Sequence, residues 1–343
     1  MPYSGESPHR GVVAVRVAEN LNAALHGLLA DDPAAYVLGE DVLDPYGGAF
    51  KITKGLSTRF PGRVITTPIS EGALTGVAAG LALTGNTAVA EIMFGDFAAL
   101  AFDQLCNFAA KSVSMYGSRL PLRMVVRCPT GGGRGYGPTH SQSLQKHFVG
   151  MPGLALYEMS PFHDNREVLA AMVDRGEPCL FFEDKILYTR PTGLADPLFR
   201  VRRDGDLAVV DPDVPELAAR PDCVIVAPGG TAHRALGAMR SLLLEEEVSC
   251  RLLVPSRLYP LDVEALLPHL GGVVLVAEEG TAGGTWGSEV AHLVHQRVWD
   301  RLRGPVRLVC SRASVIPTAA HLEREVLLSE SAIHRAVREA LRG

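Results

Sequence analysis

Short apolar runs alternate with amphipathic segments along most of the chain, which is the pattern of an α/β protein with mainly parallel sheets. In the first half, buried strands are predicted where the apolar runs are short: 35–39, 87–93, 122–127 and 180–183. Helices are predicted where the apolar positions follow a helical period: 13–29, 71–83, 102–116 and a helix through residue 173 that Asn165 would cap. The helix at 71–83 is rich in glycine and alanine, so we expect close packing against its neighbours.

The pattern changes in the middle of the chain. Residues 191–221 carry several Pro and Asp residues and no sustained period, which indicates a passage between domains. Apolar runs then resume at 223–227, 251–254, 273–277 and 306–309, with a helix at 232–246 and Ser329 as the predicted cap of a last helix. We therefore expect an α/β protein of two domains with mainly parallel sheets flanked by helices. The predicted boundaries are 1–195 for the first domain, 196–220 for the linker and 221–343 for the second domain.

Composition and charge narrow the classes of partner. The 343 residues are 47% apolar and 21% charged, with a formal net charge of −5 and no basic block, so nucleic acid is not expected as a partner. No apolar run approaches the ~18 residues that span a bilayer, so no membrane is expected either. The six cysteines form no C-x-x-C pair, and we interpret them as reduced thiols of a cytoplasmic protein without a metal site on this chain.

Four features carry candidate chemistry, and each also has an ordinary structural interpretation. Glu71 starts a helix, where a carboxylate commonly favours the helix dipole. Phe97 follows a predicted strand, where ligands bind in α/β folds but where aromatic side chains are more often core. The segment 131–137 has five glycines, so its backbone is expected to approach another group closely, although it lacks the sequence of a phosphate-binding loop. His140 follows it and has a pKa suited to proton transfer, but a single loop histidine is more often structural.

These features lie within a longer series of short motifs that runs from about Val15 to the end of the chain. The motifs are Leu38-Gly-Glu-Asp41, Tyr46-Gly-Gly48, Thr67-Pro-Ile-Ser-Glu71, Glu91-Ile-Met-Phe-Gly-Asp-Phe97, Phe102-Asp-Gln104, His140-Ser-Gln-Ser143, Pro152-Gly153, Phe181-Phe-Glu183, Pro260-Leu-Asp262, Val276-Ala-Glu-Glu279 and Ile316-Pro317. In this order and spacing, the chain resembles the β subunits of the first component of 2-oxo acid dehydrogenases of the pyruvate, branched-chain and acetoin types. The resemblance implies a pyrimidine-binding domain followed by a transketolase C-terminal domain.

The same resemblance implies a cofactor and the residues that would hold it. Thiamine diphosphate would lie between this chain and an α subunit. Glu71 would hydrogen-bond N1′ of the aminopyrimidine and favour the imino tautomer, whose nitrogen removes the C2 proton. Phe97 would stack on the pyrimidine ring, with Ile69 and Met93 as its apolar neighbours. His140 would face the substrate and the incoming lipoyl group.

The resemblance also implies partners. The α subunit would hold the diphosphate through Mg²⁺ with a Gly-Asp-Gly motif, which is absent here because Gly95-Asp96 continues to Phe97 and Gly205-Asp206 to Leu207. We therefore expect an α₂β₂ heterotetramer that decarboxylates a 2-oxo acid and passes the acyl group to a lipoyl acyltransferase. The family pattern leaves room for a bound monovalent cation. Two alternatives stay open: a split transketolase-like or acyloin-forming enzyme, and an inactive scaffolding partner of an α chain.

Several positions depart from the family pattern. Asp184 stands where the family often has proline after Phe-Phe-Glu, and Pro255-Ser-Arg-Leu258 replaces the usual Asp-Leu-Arg-Thr. Arg134 and Tyr136 interrupt the glycine-rich segment. The predicted catalytic set is unaffected, but the substrate and the carrier partner are left open by these differences.

Overall fold

The computed structural model describes residues 15–193 and 196–342, and it shows two sheets that are each flanked by helices. The strands in chain order are β1 (Ala35–Gly39), β2 (Val64–Thr66), β3 (Thr87–Glu91), β4 (Met124–Thr130), β5 (Ala155–Glu158), β6 (Cys179–Asp184), β7 (Phe199–Asp204), β8 (Leu207–Pro212), β9 (Cys223–Val226), β10 (Cys250–Pro255), β11 (Arg257–Tyr259), β12 (Val273–Thr281) and β13 (Arg307–Ser311). The helices are α1 (Val17–Asp31), α2 (Leu56–Arg59), α3 (Glu71–Leu83), α4 (Ala110–Met115), α5 (Gly137–His140), α6 (Asn165–Asp174), α7 (Pro215–Ala219), α8 (Thr231–Glu246), α9 (Val263–Leu266), α10 (Trp286–Val298), α11 (Ala320–Val326) and α12 (Glu330–Arg342).

Both sheets are mainly parallel, as predicted. The first has the order β11-β5-β6-β4-β3-β1-β2 and is parallel except for the edge strand β11. The second has the order β13-β12-β9-β10-β8-β7, in which β7 and β8 are antiparallel to their neighbours. One apolar cluster combines side chains of both sheets, so the two halves share a continuous core. The strand β11, which comes from the second half of the sequence, also pairs with the first sheet.

The predicted linker is the main correction. Within 196–220 the structure has the strands β7 and β8, which pair with each other and join the second sheet through β10. The strand β8 is buried along its whole length, whereas β7 forms the edge of the sheet and exposes most of its side chains. An edge strand needs only one apolar face, so it can carry many charged residues. The charged residues of β7 therefore hide the apolar pattern by which a strand is predicted from sequence.

Several element ends also differ from prediction. The first helix begins at Val17 and ends at Asp31, and predicted positions 13–14 lie outside the described residues. The cap of α6 is Asp164 rather than Asn165, because the Asp164 side chain accepts from the Arg166 amide. The predicted helix 102–116 contains a π-helical turn at Gln104–Ala109 before α4. Ser329 does cap the last helix, since its hydroxyl accepts from the Ala332 amide at 3.2 Å.

Among the described residues, no helix is long and apolar enough to cross a membrane. All six cysteines are free thiols. Within the same part of the chain, no group of three or more His, Cys, Asp or Glu side chains is suited to hold a metal ion.

Candidate functional site

The carboxyl ends of the central strands of the first sheet carry the candidate residues, as expected for a parallel sheet. The strands β3, β4 and β6 are tied together there by a buried ion cluster. Arg127 donates from Nε and Nη2 to the two carboxylate oxygens of Glu183 at 2.7 and 2.8 Å, and its Nη1 donates to Glu91. Burial alone would lower the pKa of Arg127, but Glu183 and Glu91 raise it. Glu91 and Glu183, which lie in two of the family motifs, therefore join the carboxyl ends of these three strands through Arg127.

Glu71 is the first residue of α3, and its side chain is almost completely buried. Glu40, which follows β1, lies close to Glu71, so a negative charge on one of the two carboxylates makes a charge on the other less favourable. Burial and the Glu71 and Asp41 carboxylates raise the pKa of Glu40, and its Oε1 is buried without a hydrogen-bond partner. An unpartnered buried carboxyl oxygen is costly, so the pair fits a ligand that supplies hydrogen-bonding nitrogen atoms.

The apolar candidates lie on the segments next to Glu71. Ile69 leaves 82% of its surface exposed, immediately before the start of α3. Phe97 lies in the 3₁₀ turn Gly95–Ala99 and is partly buried against the shared core, and Met93 is half-buried. The first turn of α3 packs beside the end of this turn, since a methyl group added at Gly72 would contact the Leu100 carbonyl at 3.5 Å.

His140 ends the short helix α5 and contacts the segment of Phe97. Its Nδ1 lies 2.9 Å from Oδ1 and 3.1 Å from Oδ2 of Asp96. The Phe94 ring stacks on the imidazole at a centroid distance of 4.2 Å, and the Phe97 ring meets it edge-on at 5.3 Å. The structure therefore brings two of the five predicted site residues, Phe97 and His140, into direct contact. Within the described residues, Glu71 makes no hydrogen bond with His140.

The glycine-rich segment 131–137 packs on the second domain. The Gly132 amide donates to Oε1 of Glu279 at 2.8 Å, and the Gly133 amide donates to Oε1 of Glu323 at 2.9 Å. A methyl group at Gly132 would lie 2.3 Å from Cδ1 of Leu327. The close approach that the glycines predict is thus an approach to protein, and the amides that could cradle phosphate already bind carboxylates.

Sequence reasoning did not single out several residues of this environment. Asp96 and Glu40 lie inside recognised motifs, so their positions were marked but their contacts were not. Lys185, which is fully buried, donates from Nζ to the His140 carbonyl at 3.0 Å, and burial lowers its pKa to about 8. Contacts between segments that lie 44 or 45 residues apart leave no periodic signal.

Comparisons with known proteins identify the family. Residues 13–191 match the family described as "Transketolase, pyrimidine binding domain", and residues 213–333 match "Transketolase, C-terminal domain". The 2-oxoisovalerate dehydrogenase subunit beta of Bacillus subtilis is 32% identical over 93% of this chain and 96% of its own. The chain belongs to the transketolase-like family of 2-oxo acid dehydrogenase β subunits.

Two further relatives extend the family match. The acetoin:2,6-dichlorophenolindophenol oxidoreductase subunit beta of Cupriavidus necator is 29% identical over 94% of this chain and 96% of its own length. A solved structure titled "Split gene transketolase, inactive beta4 tetramer" superimposes with a TM-score of 0.73 and 23% identity, and covers 96% of this chain and 99% of that chain. At that identity the structural match supports the fold alone.

The residues of this β-subunit homologue fit the pyrimidine end of thiamine diphosphate. A buried carboxyl pair at Glu40 and Glu71 offers hydrogen bonds to ring nitrogens, and the exposed Ile69 with the nearby Phe97 offers apolar surface for a flat ring. The fit therefore covers one end of the cofactor.

Proposed function

We propose that the chain is the β subunit of a thiamine diphosphate-dependent 2-oxo acid dehydrogenase. With an α subunit it would decarboxylate a 2-oxo acid and transfer the acyl group to a lipoyl carrier. The observation that carries the proposal is the buried Glu71 at the start of α3, beside the unpartnered Glu40 oxygen and an open apolar surface. The names of relatives that match over more than nine-tenths of this chain support the same reaction.

In this proposal Glu71 hydrogen-bonds the aminopyrimidine and sets the position of its proton. When bound, the cofactor supplies the carbon that attacks the 2-oxo group and accepts the electrons released by decarboxylation. Phe97, Ile69 and Met93 hold the ring and exclude water. His140 serves the later steps, at the substrate carboxylate or at the lipoyl sulfur, as a proton donor or acceptor.

The proposal includes an assembly. An α subunit would contribute the Mg²⁺-bound diphosphate site, and an α₂β₂ heterotetramer would contain two complete sites. A lipoyl acyltransferase would receive the acyl group, and a monovalent cation could further stabilise the β chain. The six free cysteines support a cytoplasmic location.

Calorimetry tests the need for the α subunit. The isolated chain, titrated with thiamine diphosphate and Mg²⁺, should show little binding and no turnover. The complex with an α subunit should bind the cofactor and sediment as a 2:2 assembly. Micromolar cofactor binding by the isolated chain, or a stable 1:1 complex, would contradict the proposal.

The acyl acceptor tests the reaction. The reconstituted complex should decarboxylate a 2-oxo acid with an artificial electron acceptor and should acylate a free lipoyl domain. Transfer to an aldehyde without lipoyl acylation would instead identify the split transketolase-like alternative. Absence of turnover with every α subunit that forms the complex would favour a scaffolding role.

A further inference from the structure

Groups of the same chain contact both the imidazole and the backbone of His140. Both carboxylate oxygens of Asp96 lie within 3.1 Å of Nδ1, and the Asp96 side chain is 10% exposed. Phe94 covers one face of the ring in a stack tilted by only 16°. Lys185 fixes the backbone at the same residue by donating to the His140 carbonyl.

These contacts leave one nitrogen unassigned. His140 is 30% exposed, and Nδ1 faces Asp96, so Nε2 is the nitrogen available to a substrate. The charged groups at this point are Asp96 on the ring side and Lys185 on the backbone side. No other ion pair of His140 occurs among the described residues.

The chemistry of the pair decides where the proton lies. An ionised carboxylate only accepts hydrogen bonds, so the proton must be on Nδ1 in the neutral ring as well as in the charged ring. Nε2 can then accept a proton when the ring is neutral and donate one when the ring is charged. Without this partner the neutral imidazole would divide between two tautomers, and one of them presents N–H where an acceptor is needed.

We infer that Asp96 is a positioning residue that fixes the Nδ1–H tautomer of His140 and makes Nε2 the atom that exchanges protons with the substrate or the lipoyl sulfur. The inference rests on the proposed function for the reaction, but not for the tautomer. Asp96 itself touches neither substrate nor cofactor in this scheme. The competing explanation is that Asp96 only anchors α5 to the 3₁₀ turn Gly95–Ala99.

Nitrogen NMR of the full chain tests the tautomer without any reaction. With ¹⁵N-labelled histidine and His140→Gln for assignment, the neutral ring of the unmodified chain should show a protonated Nδ1 and a bare Nε2. Asp96→Asn should shift the signals toward the other tautomer, because an amide can donate to Nδ1. Asp103→Asn is the control, since Asp103 is exposed and accepts from Asn107 rather than from His140. An unchanged tautomer in Asp96→Asn, or a bare Nδ1 in the unmodified chain, would overturn the inference.

Kinetics of the α/β complex test the consequence. Asp96→Asn should slow lipoyl acylation by up to about 10²–10⁴-fold, spare C2–H exchange of the bound cofactor, and cause no further loss in the His140→Ala background. Asp96→Glu should recover part of the activity. Equal loss of exchange and acylation, or a full additional loss in the double variant, would favour anchoring alone. If the complex lacks decarboxylation altogether, the proposed function fails while the tautomer result still stands.

Discussion

Ile69 precedes helix α3 and His140 ends helix α5 of the same domain, but their surroundings differ. Ile69 keeps 82% of its surface exposed, and the neighbouring Glu40 has a buried oxygen without a partner. His140 is hydrogen-bonded on its ring and on its carbonyl, and the loop before it is bound by carboxylates of the second domain. We call the first region, Glu40 with residues 69–83, the Glu71 side, and the second, Asp96 with residues 131–143, the His140 side.

The difference indicates which parts of the site this chain completes alone. Apolar surface and an unpartnered carboxyl oxygen are unfavourable unless something covers them. The Glu71 side is therefore the side that a cofactor ring and an α subunit would complete. The His140 side already has its partners: His140 itself is held by Asp96 and Lys185 of the first domain, and the preceding glycines are held by Glu279 and Glu323 of the second domain.

Removing the Glu71 carboxylate should have the largest effect. Glu71→Gln should lower turnover of the α/β complex by about 10²–10⁴-fold, because a general acid–base step is lost. C2–H exchange of the bound cofactor, followed by NMR, reports this step directly.

The matched control is Glu167→Gln, which removes an exposed carboxylate from the first turn of α6. It should leave exchange and turnover unchanged. Normal exchange in Glu71→Gln would remove Glu71 from its proposed role and would end the distinction between the two sides.

The next largest effect should come from proton binding by Glu158, which lies near Glu279, the residue that binds the Gly132 amide of the His140 side. Glu158, the last residue of β5, is buried, and burial with the nearby Asp184 carboxylate raises its pKa to about 8. The folded state therefore holds a proton that the unfolded chain releases near pH 4.5. This contribution to stability is complete below pH 4.5 and is lost as the pH rises toward 8.

Glu158→Gln should remove this pH dependence. Between pH 6.5 and 8 the free energy of unfolding of the unmodified chain should fall by up to roughly 1.4 kcal/mol per pH unit relative to the variant. This range lies above the pKa of about 6 to which burial raises Asp184 and below the value of about 8 for Lys185. Urea unfolding at several pH values measures the difference. Parallel curves for the two proteins would show that Glu158 is ionised in the folded state.

The sequence predicted the Glu71 side better than the His140 side. The helix 71–83 has the predicted bounds, because its helix start and its small residues are local features. The two-domain α/β architecture also followed from local apolar periodicity and from motif order. Each of these signals is contained within a few adjacent residues.

The remaining features depend on contacts between distant segments. The glycines of 131–137 predicted a close approach, but their partners Glu279 and Glu323 lie more than 140 residues away. The strand β7 was missed because its exposed edge carries charged residues. Asp96 lies inside a family motif, but the sequence did not indicate that it is the partner of His140.

A methyl group added to a glycine should change the free energy of unfolding differently on the two sides. Gly132→Ala places a methyl group 2.3 Å from Cδ1 of Leu327, so it should lower the free energy of unfolding by about 1–3 kcal/mol. In the Leu327→Ala background the same change should cost clearly less, because the obstructing methyl group is gone. Equal costs in the two backgrounds would show that the loop adjusts freely and that the His140 side is not rigidly packed.

The same substitution on the Glu71 side should have a smaller effect of opposite sign. Gly80 lies inside α3, and a methyl group there would meet nothing within 4 Å. Alanine is favoured over glycine in a helix interior by roughly 0.5–1 kcal/mol, so Gly80→Ala should stabilise the isolated chain by about that amount. Thermal and urea unfolding of the isolated chain measure this change.

In the α/β complex the methyl group added by Gly80→Ala should weaken assembly if an α subunit packs closely on α3. Sedimentation at decreasing concentration would detect the weaker assembly. A destabilised isolated chain would mean that α3 is already covered by this protein alone, which would remove the basis for assigning its surface to a partner.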